Sequence, residues 1–364
     1  MDHHAGVIEL TALAQQAPLL PRGYRPCSAA GWADGVASAS IGRPQSPYLL
    51  DAYGARRAPW NVAGVDYRVG VKEGQSLTPW QNILSVNSGP GVQVNQSTGL
   101  IYVIADSPSS TFKNIDFSTG IGCIVYNPSG NGTFLTFINC KFGPVKPWSI
   151  YNGSYFINDQ NSAAILVLNC TFDGSGMSAQ PSFIVSSGPV TLMYNWFTNS
   201  FGGQILQFNG NGQLIYKYNF IDTTLVMDGA HKNILQLSGT GTCNGMHVSY
   251  NTAFQKDLAG GEFFQFYTNA ASITLTNPVF GNNTIIALPA ACNMASVLGD
   301  KGPQTMSNLI HGSGGTTTVT GGQNKNNYFD VSGAFGAYYG GTMVTGWTST
   351  NNRNMRTGLI IAPA

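Results

Sequence analysis

Short apolar segments, each closing on an asparagine, recur along residues 99–283 of the chain. Every one of these asparagines is followed within a few residues by an aromatic or other apolar side chain. They are Asn114, Asn139, Asn169, Asn195, Asn219, Asn251 and Asn277, at intervals of 24 to 32 residues. A landmark at this period predicts a solenoid, because each repeat buries its apolar face only against the next repeat. The apolar segments are predicted to be its strands.

Residues 201–280 carry the most regular part of this pattern. Gln207, Gln236 and Gln265 are separated by 29 residues twice in succession. The three glutamines are therefore predicted to occupy the same position on successive repeats. The same register places Glu262 beside Asn233 of the preceding repeat.

The asparagines are interpreted as structural residues of sharp corners between short parallel strands. Asparagine tolerates the left-handed backbone conformation that such corners require. Strands in neighbouring repeats lie roughly 4.8 Å apart, so equivalent asparagines can bond to each other along a column. The phenylalanines that follow are predicted to point inward and stack in the same way.

The two ends of the chain differ from the repeats. Residues 1–58 contain one short helical pattern at 10–20 and then a segment rich in Gly, Ala, Ser and Pro. Such a composition cannot stabilise a separate fold, so this arm is either disordered or ordered against a partner. Residues 59–98 are predicted to cap the solenoid, which extends over 99–311. Residues 312–364 are predicted to form β hairpins that close the last repeat or serve oligomerisation.

Composition narrows the functional classes. Charged residues make up 9% of the chain, against roughly 25% in an ordinary soluble protein. The net charge of +1 and the absence of Lys/Arg runs argue against a nucleic-acid partner. No apolar window reaches the ~18 residues of a membrane span, and residues 1–20 do not have the features of a secretory signal peptide. The protein is expected to stay in the cytoplasm where it is made, or to leave by a route without such a signal.

The six cysteines show no metal-binding spacing, and neither a metal ion nor a cofactor is expected. Cys140 and Cys170 each follow a repeat asparagine, which would place one above the other on neighbouring repeats. Small buried apolar side chains are favoured over a disulfide here.

The repeats with Asn-x-x-Phe corners, the abundance of Gly, Asn and Thr and the low charge resemble the pectate-lyase-like superfamily over about residues 99–283. The resemblance implies an all-β fold, a right-handed single-stranded parallel β-helix. Residues 63–67, followed by an Asn-Ile-Asp-Phe repeat, resemble β-helix proteins encoded in phage and prophage regions. This implies a homotrimeric tailspike or fibre of a virion, attached to other virion proteins through residues 1–58 and directed at a bacterial surface polysaccharide.

An alternative is a polysaccharide lyase or glycoside hydrolase of the same fold that is not part of a virion and acts outside the cell. No arginine occurs between Arg68 and Arg353, which argues against a typical pectate lyase, whose base is an Arg or Lys beside Ca²⁺-binding carboxylates. Hydrolases of this fold use converging carboxylates. Asp228, Asp257 and Glu262 are the catalytic candidates.

Glycan binding is expected at aromatic and cationic side chains, because exposed rings stack on sugar faces. The candidates are Trp196, Tyr216 and Tyr267, together with Lys232 and His231. Whether the protein cleaves a glycan, only binds one, or is a structural neck or capsid-associated protein stays open at this level.

Overall fold

The computed structural model describes the residues over which the repeats extend, together with parts of both flanks. These are residues 61–62, 65–66, 70–71, 74–85, 92–95, 100–103, 110–118, 124–127, 134–144, 155–159, 163–175, 182–198, 204–209, 211–223, 232–237, 239–255, 261–267, 272–287, 311–313, 316–329, 346–354 and 360. Within these ranges the chain is all-β, and its helical structure is a 3₁₀-helix at Trp80–Ser85.

Sheet 1 is parallel throughout the described residues. Its strands, in spatial order, are β6 (Ser110–Lys113), β9 (Phe134–Ile138), β12 (Ala164–Leu168), β15 (Val190–Met193), β18 (Leu214–Lys217), β22 (His247–Ser249), β26 (Val279–Gly281), β30 (Gly322–Lys325) and β32 (Trp347–Thr350). Side chains alternate along these strands between a buried and a partly exposed face, as the period of two of a β-strand requires.

Sheet 2 is also parallel in the described part of the chain. Its strands, in spatial order, are β3 (Thr78–Pro79), β7 (Ile115–Asp116), β10 (Lys141–Phe142), β13 (Thr171–Asp173), β16 (Trp196–Thr198), β19 (Phe220–Thr223), β23 (Thr252–Gln255), β27 (Thr284–Ala287), β31 (Tyr328–Phe329) and β33 (Arg353–Asn354).

Sheet 3 begins with an antiparallel pair and continues in parallel. Its described strands are β4 (Val92–Asn95), β5 (Leu100–Val103), β8 (Ile124–Asn127), β11 (Ile157–Asp159), β14 (Ile184–Ser186), β17 (Leu206–Phe208), β20 (Lys232–Leu237), β24 (Gly261–Tyr267) and β28 (His311–Ser313). A small parallel sheet 4 contains β21 (Gly241–Asn244), β25 (Ser272–Thr276) and β29 (Thr316–Thr320). Outside these sheets, β1 (Asn61–Val62) and β2 (Val65–Asp66) form an antiparallel pair.

The chain visits the three large sheets in a constant order. From β6 to β20, each strand of sheet 1 is followed by one of sheet 2 and then one of sheet 3, after which the chain returns to sheet 1 beside the strand it left. We call one such circuit a pass; later passes add a strand of sheet 4 before sheet 1. The predicted all-β parallel architecture is confirmed, and the arrangement is compatible with the predicted solenoid.

The glutamine register and the state of the cysteines were predicted correctly. Gln207 pairs with Gln236, and Gln236 pairs with Gln265, on adjacent strands of sheet 3. Cys140 and Cys170 are buried and free, and the Cys140 main-chain N–H donates to Cys170 Sγ at 3.3 Å. The two cysteines therefore lie one above the other as small core side chains.

The corner from sheet 1 to sheet 2 has a left-handed residue followed by a buried one. The left-handed residue is asparagine in the first three corners, at Asn114, Asn139 and Asn169, with φ between 54° and 56°. It is tyrosine in the next three and asparagine again in the last three described. The residue that follows the left-handed one is buried at all of these corners, for example Cys170 and Asn195.

The prediction of one asparagine column was therefore partly wrong. Asn114, Asn139 and Asn169 are left-handed, as predicted, whereas Asn195 and its two successors lie one position later and are buried. Asn277 belongs to another corner, between β25 of sheet 4 and β26 of sheet 1. Its side-chain oxygen lies against Gly321, at the same corner of the next pass. The spacing of the asparagines does not distinguish the corner between sheets 4 and 1 from the corner between sheets 1 and 2, because sheet 4 occurs only in the later passes.

The buried asparagines form a continuous hydrogen-bonded ladder across the passes. Its members are Asn195, Asn219, Asn251, Asn283, Asn327 and Asn352, all almost fully buried. From Asn219 onward, each side-chain oxygen accepts both the main-chain N–H and the side-chain amide of the preceding member, at 2.9–3.1 Å. Each side-chain amide also donates to a main-chain carbonyl, for example that of Asn251 to the Tyr216 carbonyl at 2.8 Å. The asparagines thus satisfy the polar groups of the corners inside the core.

Phenylalanines fill the core between the sheets in the first half of the stack. Phe117, Phe142, Phe172 and Phe197 follow the sheet 2 corner in successive passes, with ring centroids 4.5 to 5.0 Å apart and planes within 21°. The predicted inward phenylalanine stack is confirmed. Phe156 from sheet 3 packs against Phe142 and Phe172 at 5.9 and 5.8 Å, so the three sheets share one core.

The described strands after residue 311 do not form the predicted hairpins. β28, β29 and β30 each pair in parallel with the corresponding strand of the preceding pass. The buried ladder continues through Asn327 and Asn352, which holds these strands in the same register as the earlier ones. A role of residues 312–364 in oligomerisation stays a prediction, as do the boundaries at 58 and 98; residues 1–58 lie outside the described residues.

Replacing Asn251 by alanine is expected to lower the free energy of unfolding by at least about 2 kcal/mol, because buried polar groups left without partners cost about 1–3 kcal/mol each. The Asn219 main-chain N–H and the Tyr216 carbonyl would both lose their partner. Urea denaturation measures the effect. Asn244→Ala, at an exposed strand position, is the matched control. Equal stability of the two variants would contradict a structural ladder.

Candidate functional site

One of the three predicted catalytic carboxylates lies within the described residues. Glu262 is in β24, and its main chain pairs with Asn233 of β20, as the repeat register predicted. Asp228 and Asp257 lie outside the described residues. The catalytic cluster therefore stays a prediction.

Two of the predicted binding residues lie on the same strands of sheet 3. Lys232 is the first residue of β20 and pairs with Gly261, and Tyr267 is the last residue of β24 and pairs with Ser313. His231 lies outside the described residues. The register places Lys232 next to the strand that carries Glu262, at the opposite end from Tyr267.

Tyr216 is a core residue, and its prediction as a binding residue is wrong. Its side chain has 0% exposure and lies 6.2 Å from the ring of Phe197. Burial raises the pKa of its phenol well above the usual value. The residue occupies an inward position of β18, and a side chain without accessible surface cannot contact a glycan.

Trp196 is half-buried at the start of β16, where another segment of the chain crosses sheet 2. The Gly70 main-chain N–H donates to the Tyr194 carbonyl at 2.9 Å, and the Val71 N–H donates to Thr171 Oγ1 at 2.9 Å. A Cβ on Gly70 would lie 2.9 Å from Cβ of Trp196. Trp196 therefore contacts its own chain, and its role in ligand binding stays a prediction.

Three stacked tyrosines mark an outward column that the sequence analysis did not assign to a site. Tyr194, Tyr218 and Tyr250 hold the left-handed position of three successive corners, with φ of 59°, 57° and 60°. Their neighbouring ring centroids are 5.0 Å apart, with planes within 16°. We call these residues the tyrosine column. Its sequence signal is the Tyr-Asn dipeptide, which occurs at all three corners.

The tyrosine column is partly exposed. Tyr250, at its C-terminal end, has 40% exposure. Burial, and then the neighbouring Tyr218, raise the pKa of Tyr194; burial, and then Tyr250, raise the pKa of Tyr218. Tyr194 and Tyr218 are therefore neutral phenols at neutral pH.

The corner geometry does not demand tyrosine. The later corners have the left-handed residues Asn282, Asn326 and Asn351, each followed by a buried ladder asparagine. A bulky residue at positive φ is uncommon and strained, whereas asparagine is enriched there. Three consecutive tyrosines at a position that accepts asparagine point to a role outside the fold itself.

Cationic side chains lie beside this column on the outward face of sheet 1. Lys217 precedes Tyr218, and the outward column continues through Ser249 and Gly281 to Lys325. His247 lies on the same face of β22, two positions before Ser249. We call Lys217, His247 and Lys325 the cationic group.

No carboxylate occurs in the described strands of sheet 1, whose basic residues are Lys113 and the cationic group. Burial is the largest cause that lowers the pKa of His247, followed by the charges of Lys217 and Lys325. Burial also lowers the pKa of Lys217. His247 is therefore close enough to both Lys217 and Lys325 to be repelled by each of them when it is charged.

Searches of the described residues for other sites gave two negative results. No group of three or more His, Cys, Asp or Glu side chains in these ranges can hold a metal ion. None of the described helical structure is long and apolar enough to cross a membrane.

Comparison with family models, with curated proteins and with solved structures gave no match. The features of the chain that point to a function are therefore the tyrosine column, the cationic group and the outward face of sheet 1.

Replacement of Tyr218 by asparagine is expected to change the free energy of unfolding by less than about 1 kcal/mol, because relief of the left-handed strain offsets a lost stacking contribution of roughly 0.5–1.5 kcal/mol. Tyr218→Val, which places a β-branched residue at positive φ, is expected to destabilise by more, roughly 1–3 kcal/mol. Urea denaturation of both variants tests this. Equal stabilities would mean that the corner does not enforce positive φ.

Proposed function

We propose that the chain forms a right-handed single-stranded parallel β-helix of the pectate-lyase-like type and functions as a homotrimeric tailspike- or fibre-type appendage of a phage virion. In this proposal residues 1–58 attach it to other virion proteins, and the β-helix recognises a bacterial surface glycan. The observation that carries the proposal is the constant cyclic order of three parallel sheets. Parallel strands joined by crossovers are right-handed in about 98% of cases, which supports the handedness.

The ladders support a stiff body suited to an appendage. Asparagine bonds and ring stacks connect every described pass to the next along the core, so bending would break contacts in several columns together. The low fraction of charged residues, 9%, agrees with a surface dominated by neutral β structure. A long rigid surface of this kind fits repeated contacts with an extended polymer.

The outward face of sheet 1 supports association with further copies of the chain. Over β9 to β18 this face presents the exposed Phe134 and six partly exposed apolar side chains, namely Ile138, Ala164, Leu166, Leu168, Met193 and Ile215. Contiguous apolar surface on a soluble protein marks an interaction site. Side-by-side packing of three copies about a threefold axis would bury this face in each of them.

The tyrosine column and the cationic group support glycan recognition. Exposed aromatic edges and hydroxyls provide both apolar contact and hydrogen bonds to a sugar. Lys217 continues directly into Tyr218 at the corner, so both kinds of side chain lie along one edge of the β-helix. This edge adjoins the apolar part of sheet 1 at β18.

The full-length protein is expected to elute as a trimer, about three times 38.6 kDa, in size-exclusion chromatography with light scattering. Leu166→Lys is expected to shift it towards monomer, because a lysine would have to be desolvated in the interface. Thr348→Lys, in the same outward column at the C-terminal end of sheet 1, is the matched control. A monomeric wild-type protein would exclude the trimeric appendage.

The trimer with Tyr218→Asn is expected to bind purified bacterial surface polysaccharides about tenfold more weakly. The reason is that the contact of an aromatic ring with a sugar contributes of the order of 1 kcal/mol. A polysaccharide array and isothermal titration calorimetry measure it, and antibody labelling of purified virions tests the location. Unchanged binding by Tyr218→Asn would remove the tyrosine column from the site.

The same polysaccharides test the enzyme alternative. Release of reducing ends by the wild type, abolished in Asp228→Ala, Asp257→Ala or Glu262→Ala with the trimer retained, would identify these carboxylates as catalytic. Release that persists in all three variants would exclude them from catalysis.

A further inference from the structure

The outward column of sheet 1 contains a notch between two lysines. Lys217 pairs with Ser249, Ser249 with Gly281, and Gly281 with Lys325. Strand neighbours lie about 4.8 Å apart, so the two lysine main chains are separated by about 14 Å. Between them lie the small residues Ser249 and Gly281, which are both buried, so the lysine side chains supply the accessible surface of the notch.

The absence of a side chain at Gly281 leaves room for Lys325. A Cβ on Gly281 would lie 3.3 Å from Cγ of Lys325 and 3.2 Å from its main-chain oxygen, so the lysine stem passes close above the glycine. The Lys325 ammonium donates to the side-chain oxygen of Gln323, which is a neutral partner. Lys217 lies on β18, on the opposite side of Ser249 from Gly281, and its ammonium is carried on a flexible four-carbon stem.

The walls of the notch carry positive charge and aromatic edges. His247 lies on the outward face of β22, between Ile215 and Val279 of the adjacent strands. On the corner side, Tyr250 follows Ser249 and stacks on Tyr218. Of the strands packed around His247, β18 contributes Lys217, β26 contributes no ionisable residue, and β30 contributes Lys325.

Two lysines and a histidine on one face, without a carboxylate in the described strands of the sheet, form a site for an anion. The donor set distinguishes between anions. Planar carboxylates are matched by the fork of arginine, and no arginine occurs between Arg68 and Arg353. Lysine ammonium groups act as point charges that suit a tetrahedral oxyanion.

We propose that the notch, with its basic side chains Lys217, His247 and Lys325, binds a phosphate group carried by a glycan, with Tyr218 and Tyr250 in contact with the sugar that bears it. The inference rests on the proposed glycan recognition and narrows its ligand to phosphorylated surface polymers. A phosphate between the two lysines has a positive charge on either side, and it offsets the repulsion that the lysines exert on a charged His247.

Isothermal titration calorimetry with glucose 6-phosphate, glucuronate, glucose and inorganic phosphate, at constant ionic strength of 0.15 M, tests the proposal. Ionic strength is held because surface charges are screened within about 8 Å under these conditions. Glucose 6-phosphate is expected to bind more tightly than each of the other three. Equal binding of glucuronate would overturn the selectivity for a tetrahedral oxyanion. Equal binding of inorganic phosphate would overturn the contact with the sugar.

Lys217→Met and Lys325→Met are each expected to weaken binding of glucose 6-phosphate about tenfold, since a hydrogen bond to a charged group contributes roughly 1.5–3 kcal/mol. Lys113→Met is the matched control, because Lys113 lies in the same outward column at the far end of sheet 1 and is exposed. Circular dichroism checks that each variant is folded. Equal loss in Lys113→Met would mean diffuse charge attraction instead of a notch.

The pH dependence tests the part of His247. Its pKa is lowered in the free protein, and a bound anion favours the charged imidazole and raises that pKa. Binding therefore takes up a proton, and affinity increases as the pH falls through the pKa of His247 in the complex. Glucose 6-sulfate is the ligand for this experiment, because the second ionisation of a phosphate ester near pH 6 would add its own pH dependence. His247→Gln is expected to bind with an affinity independent of pH. A pH dependence that persists in this variant would remove His247 from the site.

Failure of this inference can be told apart from failure of the proposed function. A trimer that binds neutral surface polysaccharides but not glucose 6-phosphate would leave the appendage proposal intact and overturn the phosphate site. A monomer without polysaccharide binding that still binds glucose 6-phosphate at the notch would overturn the appendage proposal and keep the phosphate site.

Discussion

The buried asparagine ladder is the interaction on which the register of the stack depends. Each side chain from Asn219 to Asn327 donates to one neighbour and accepts twice from another, and it also donates to a main-chain carbonyl. A slip of one residue between passes would turn inward-facing side chains outward and leave these groups unpaired in the core. At the two corners before Asn195 in the chain, Cys140 and Cys170 occupy the position of the ladder residue. There the phenylalanine stack, in which the Phe142 and Phe172 ring centroids lie 4.5 Å apart, takes over the alignment of the passes.

The ladder also separates the two residues of each corner by role. The second residue is buried and must satisfy main-chain groups, whereas the first needs only to accept a positive φ. Asparagine meets the requirement of the first position at Asn169 and Asn282 with little strain. Tyrosine at three adjacent corners accepts more strain in exchange for an aromatic surface. Strained positions of this kind concentrate at functional sites, and the tyrosine column is therefore central to the proposed glycan contact.

Sheet 1 combines two surfaces that a globular chain would keep apart. Over β9 to β18 its outward face is apolar, and from Lys217 onward it is cationic without compensating acids. Charged residues make up 9% of the chain, so the basic side chains of Lys217, His247 and Lys325 on one face are a local excess of basic residues. Association through the apolar part and ligand binding through the cationic part are compatible, because they occupy successive stretches of one stiff sheet.

The sequence by itself determined the strand content, the repeat period, the glutamine register and the burial of Cys140 and Cys170, because these follow from local alternation and from constant spacing. Only the tertiary structure decided which residue of a Tyr-Asn pair is left-handed, since hydrogen bonds to the next pass select the buried asparagine. It also moved Tyr216 into the core. Lys217 and Lys325 are far apart in the chain, and insertions of unequal length hide their common column. Strand pairing through Ser249 and Gly281 brings them to one notch.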